Sequence, residues 1–83
     1  MNAALSLDDL KDLGADRPAT VEVAALYREA FERFGTQSLW SRRPSERPTI
    51  AQAIVIAEAL RREGDMKTLR FAARIEAACR AAL

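Results

Sequence analysis

The chain has 83 residues, a formal net charge of +1, 49% apolar and 30% charged residues, one cysteine and no histidine. This length makes one domain, the composition belongs to a folded globular protein, and a single thiol excludes an internal disulfide. The near-neutral total hides an asymmetry, since residues 1–32 carry seven acidic and three basic side chains and residues 33–83 carry five and ten. Halves of opposite charge attract each other, a second subunit or a polyanion.

Four helices are expected. Ser6 reads as an N-cap with Asp9 three residues on, and Leu5 and Leu10 stand where a hydrophobic staple would form. Leu7, Leu10 and Leu13 follow at helical spacing, with Gly14 as a left-handed exit, so the first helix spans about Leu7–Leu13. A helix this short must dock on the rest of the chain to persist. The second begins between Arg17 and Val21, with Pro18 tolerated in a first turn, and runs to Phe34 before Gly35. Val23, Leu26, Tyr27, Ala30, Phe31 and Phe34 form its apolar stripe. Outside that stripe, Glu29 and Arg33 stand in favourable i,i+4 order.

Pro48-Thr49 opens the third helix, where Thr49 and Gln52 make a capping-box pattern. Ile50, Ala53, Ile54, Ala57 and Leu60 share one face, Ile56 widens it, and Val55 lies nearly opposite. Apolar residues on more than one side mean deeper burial or a shared surface, which makes Val55 and Ile56 candidates for a homodimer interface. Glu58 and Arg62 are spaced as a surface pair, and Gly64 ends the helix. Asp65 caps the fourth helix, from Met66 to about Ala82. Phe71, Ile75, Ala78 and Ala82 fall close together on it, and Lys67, Arg70 and Arg74 make a basic ridge on the other side, a candidate polyanion contact. No run alternates apolar and polar with β-branched enrichment, so strands are not expected. The fold class is all-α: a small bundle of three main helices plus a short N-terminal one. Neighbouring helices are expected to pack antiparallel, except where the long connection between second and third permits a crossing.

That connection is the conspicuous feature. Leu39-Trp40-Ser41-Arg42-Arg43-Pro44-Ser45-Glu46-Arg47-Pro48 holds the sole Trp, three Arg and two Pro. It lies within a loop from Gly35 to Pro48, longer than the roughly 2–8 residues usual between helices of small bundles. Trp and Arg dominate binding hot spots, and the guanidinium fork grips carboxylate or phosphate. Trp40, Arg42, Arg43 and Arg47 are therefore the candidate anchors for a protein partner. The competing reading makes Trp40 the plug that folds the loop onto the core, with solvated arginines around it.

Catalytic chemistry has little to work with. The absence of His removes the commonest general base and metal ligand, and one Cys cannot build a zinc cluster. Cys79 lies in an Ala-rich helical pattern and reads as a small buried thiol. Asp8, Asp9 and Asp12 suit the positive end of a helix dipole better than a metal. The glycines stand singly, as C-caps, so no phosphate-cradling loop is present. No nucleophile–base pair can be drawn. An enzyme, a cofactor and a metal are therefore not expected. The N-terminal residues lack a basic region followed by a sustained apolar stretch, and the longest apolar run, Ala53–Ala57, is far short of the roughly 20 residues of a membrane helix. The expectation is a cytoplasmic location without membrane contact.

The third and fourth helices, joined through Arg61-Arg62-Glu63-Gly64-Asp65, have the short Gly-containing turn of a helix-turn-helix. The start of the fourth helix suits phosphates better than base edges, so an antiparallel hairpin is expected. The run Phe34–Cys79 contains Leu-Trp-Ser-Arg-Arg-Pro, Pro-Thr, Ala-Leu-Arg-Arg-Glu-Gly-Asp and Ile-Glu-Ala-Ala-Cys. It resembles small uncharacterised bacterial helical proteins, some of which accompany nucleotidyltransferase-type toxins of the abortive-infection class. The resemblance covers about half the chain and carries no catalytic motif. It implies an accessory or antitoxin-like role through a protein partner. Two functional expectations result: a protein-interaction module, or a nucleic-acid binder using the loop arginines together with Lys67, Arg70 and Arg74.

Overall fold

The starts of the second and third helices are tied side by side by two backbone hydrogen bonds, Ala19 N–H to the Pro48 carbonyl and Ile50 N–H to the Arg17 carbonyl, each 2.9 Å. These bonds form an isolated antiparallel bridge between Pro18 and Thr49. The structure, a computed structural model, describes residues 6–35, 39 and 42–83. It contains α1 (Leu7–Gly14), α2 (Val21–Phe34), α3 (Ile50–Glu63) and α4 (Met66–Ala82), an all-α bundle with no sheet among the described residues.

The bridge sets the topology. With both starts pinned together, the chain that leaves the end of α2 must regain the start of that helix before α3 can begin. The end of α2 lies against the first turns of α4, where the Phe34 and Phe71 rings meet edge to face at 5.6 Å. Between Phe34 at that end and Thr49 at the bridge the chain therefore covers the length of α2, whose 14 residues rise about 20 Å at the helical 1.5 Å per residue. A short turn cannot make that return. The length of the connection follows from the topology.

Helix ends form where local chemistry provides for them. Both capping boxes are present: Asp9 N–H donates to Ser6 Oγ and Ser6 N–H to the Asp9 carboxylate. Gln52 N–H and the Gln52 side chain make the same reciprocal pair with Thr49. Leu5, the other half of the expected staple, lies outside the described residues. α2 begins later than Pro18, at Val21, with Thr20 Oγ1 accepting from Val23 N–H. Asp65 occupies the N-cap of α4 without a side-chain capping bond; instead the buried Thr68 hydroxyl donates to the Asp65 carbonyl at 2.8 Å.

Of the three glycines expected as C-caps, Gly35 and Gly64 are, and only Gly64 is left-handed, at φ +75°. Gly35 is right-handed. Gly14 is buried inside the last turn of α1, where an added Cβ would stand 2.9 Å from Ile50 Cβ. Its role is the close approach of α1 to α3.

α3 is the central helix, packed against α1, α2 and α4. That explains its apolar breadth: Ile56 is 4% exposed and belongs to the core alongside Ile50, Ile54 and Leu60. The expectation that Ile56 is free for a subunit contact is corrected, because neighbouring helices cover it within the chain. Val55 is half-buried. The expected Glu58–Arg62 pair also gives way. Glu58 accepts from Lys11 Nζ at 3.1 Å, fastening α1 to α3, and this hydrogen bond raises the Lys11 pKa. A second tie joins α3 to α4, where the Arg61 guanidinium grips both oxygens of Glu76 at 2.5 and 2.7 Å. Glu29 and Arg33 pair as expected, at 3.3 Å.

Candidate interaction surface

Lys67, Arg70 and Arg74 recur at three- and four-residue spacing, so they stand on one face of α4. The end of α2 adds Arg33 to them. These four cations line a cleft of about 470 Å³ with Phe34 and Phe71 between them. Both rings are almost fully buried, so the cleft offers them as a rigid floor and leaves little ring face for a ligand to stack on. The Arg33 and Arg74 guanidiniums lie 5.7 and 5.0 Å from the centre of the Phe71 ring. At this range the ring quadrupole attracts a cation, which draws both arginines to the same ring.

Charge in the cleft is poorly balanced. Glu29 pairs with Arg33, while Lys67, Arg70 and Arg74 join no ion pair among the described residues. Cations gathered in a concave site raise the local potential and draw an anion in. Such an arrangement suits carboxylates or phosphates.

The loop arginines are distributed differently. Arg42, Arg43 and Arg47 are exposed, but they do not gather in one place. Arg42 N–H donates to the Leu39 carbonyl and Leu39 N–H to the Phe34 carbonyl, at 3.0 and 3.1 Å, which ties Arg42 to the cleft end of α2. Arg47 precedes Pro48 at the bridge, at the opposite end of that helix. Between them Ser45 N–H donates to the Tyr27 hydroxyl at 2.9 Å. Trp40 lies outside the described residues. The residue that plugs the loop into the core among those described is Leu39, 1% exposed.

The remaining candidates resolve into structural roles. Asp9 caps its own helix and Asp8 lies 3.4 Å from Lys11. Cys79 is fully buried. Burial pushes its thiol up to about 11, with Glu76 adding to the effect, so it is protonated at neutral pH and a poor nucleophile. No helix among the described residues is long and apolar enough to cross a membrane.

Arg33 is the cleft residue that sequence reading missed. Its one visible signal was its place beside Phe34 at the end of the aromatic stripe, and only the pairing of α2 with α4 gives that position meaning. Compared with known proteins, the chain matches no family model, no curated protein and no solved structure.

Proposed function

We propose that this chain is a non-enzymatic protein-interaction module that holds an acidic segment of a protein partner in the cleft of Arg33, Lys67, Arg70 and Arg74. The accessory or antitoxin-like role implied by the sequence resemblance is of this kind. The observation that carries the reading is the gathering of four cations, from two helices, around one concave site with a single carboxylate among them. Arg42, approaching the same end of α2 through Leu39, extends the positive charge toward the loop.

A protein partner is favoured over nucleic acid by the extent of the charge. The cations gathered in the cleft come from two turns of α4 and the last turn of α2, and the whole chain carries only +1. A nucleic-acid backbone presents its phosphates over a long path and is met by a broad basic surface. A short run of carboxylates fits the compact patch.

Fluorescence anisotropy with a labelled oligoglutamate peptide, and with a single-stranded oligonucleotide of equal charge, tests the reading. The peptide is expected to bind. Joint replacement Lys67→Glu and Arg70→Glu should abolish that binding while leaving the helical circular dichroism unchanged, because both side chains are exposed. Binding of the oligonucleotide alone, falling steeply with salt, would replace this reading with the nucleic-acid one. Binding of neither would end both.

A further inference from the structure

The basic cleft does not stop at Arg74. The same side chain lines a second, adjoining groove of about 490 Å³ between α2 and α4. Its middle is small and apolar, with Ala25 and Leu26 on α2 facing Ala77, Ala78 and Ala81 on α4; Glu29, the ion-pair partner of Arg33, also lines it, and it includes Glu22 from the first turn of α2. Phe34 meets Phe71, and Leu26 lines the same groove as Ala78. The two helices are therefore antiparallel, and Glu22 lies at the end away from the cleft. One continuous trough results: cationic at Lys67 and Arg70, apolar through the alanines, acidic at Glu22.

Resting on the function proposed above, we infer that the acidic segment is the first turn of an amphipathic α-helix of the partner, laid along this trough parallel to α4. Three features select such an occupant. From Lys67 to Ala81 the trough follows α4 for about 21 Å at 1.5 Å per residue, the length of roughly four helical turns. Alanines along its middle let a third helix approach to the ordinary interaxial distance of about 8–10 Å. The polarity of charge matches what helices carry, since acidic residues stabilise an N-terminus and basic residues a C-terminus. The acidic N-terminal turn then sits on Lys67 and Arg70, and the basic C-terminal turn reaches Glu22.

A second copy of this chain fits less well. Its own matching face would bring Glu22 and Glu29, and Glu29 is already paired with Arg33. Two copies face to face would set four carboxylates against eight cations, and two of the four, the Glu29 side chains, are already engaged with Arg33.

The test is anisotropy with a labelled helical peptide of about 16 residues, carrying Glu in its first turn, Ala and Leu on one face and Lys in its last turn. It should bind about tenfold tighter than oligoglutamate, and about tenfold tighter than a peptide with the same face and the charged ends exchanged. Ala77→Gln fills the trough from an exposed position with a good helix former. It should remove the advantage of the helical peptide and leave oligoglutamate binding unchanged. A helical peptide that binds no tighter than oligoglutamate, or that ignores Ala77→Gln, overturns the helix inference and leaves the acidic-segment reading standing. Failure of both peptides overturns both. A dimer of the chain alone that Ala77→Gln dissolves would make the second copy the occupant and overturn the inference as stated.

Discussion

The 35–49 loop and the α2–α4 face carry comparable numbers of cations but organise them in opposite ways. The loop concentrates them in sequence, Arg42, Arg43 and Arg47 within six residues, and the fold then spreads them along the length of α2. The α2–α4 face draws from distant positions, 33 against 67–74, and the fold gathers those side chains around one cleft. Density in sequence and density in space are different quantities. Only the second builds an electrostatic site, because Coulomb energy falls with distance between charges and is screened within about 10 Å at moderate salt.

The contrast extends to what holds each region. The loop is fixed by its own buried parts, Leu39 in the core and the Ser45 amide on the Tyr27 hydroxyl. The cleft rests on Phe71, which is 2% exposed and has two guanidiniums within 6 Å of its ring centre. One region returns the chain to the start of α3. The other presents its cations.

Substitutions can break this comparison, and the largest effect is expected at Leu39. Leu39→Ala removes a fully buried side chain and should cost about 2–4 kcal/mol, read as a lowered denaturation midpoint in urea. A loss below about 0.5 kcal/mol would mean the loop is not docked and the comparison fails on its structural side. Next comes Phe71→Leu, which keeps an apolar floor of similar bulk and should cost under about 1.5 kcal/mol. It removes the ring that positions Arg33 and Arg74, so acidic-peptide affinity should fall several-fold by anisotropy. Unchanged affinity would show that the ring does not organise the site. The smallest effect is Tyr27→Phe, which leaves the Ser45 amide without its acceptor and should cost about 1 kcal/mol. Urea denaturation should reveal that loss, with peptide binding unchanged.

Much of the fold was legible because helix ends are written in local chemistry. The Ser6–Asp9 and Thr49–Gln52 boxes and the Gly64 stop all depend on residues within a few positions of one another. What escaped were choices made by tertiary packing. Gly14 looked like an exit and is instead a contact point for Ile50. Glu58 has Arg62 one turn away and takes Lys11 from a different helix. Ile56 looked like surplus apolar surface because nothing in sequence says that α3 is covered on several sides. The site follows the same division. The ridge Lys67, Arg70 and Arg74 was visible from helical spacing, and Arg33 was not, because its partnership depends on how α2 lies against α4.

The most direct measurement is a two-dimensional amide NMR titration of the 15N-labelled chain with the oligoglutamate peptide. The largest shifts should fall on Arg33, Lys67, Arg70 and Arg74 and their neighbours, with Arg47 and the bridge at Pro18–Thr49 unmoved. Shifts concentrated on residues 42–47, with 67–74 silent, would contradict this and make the loop the working surface.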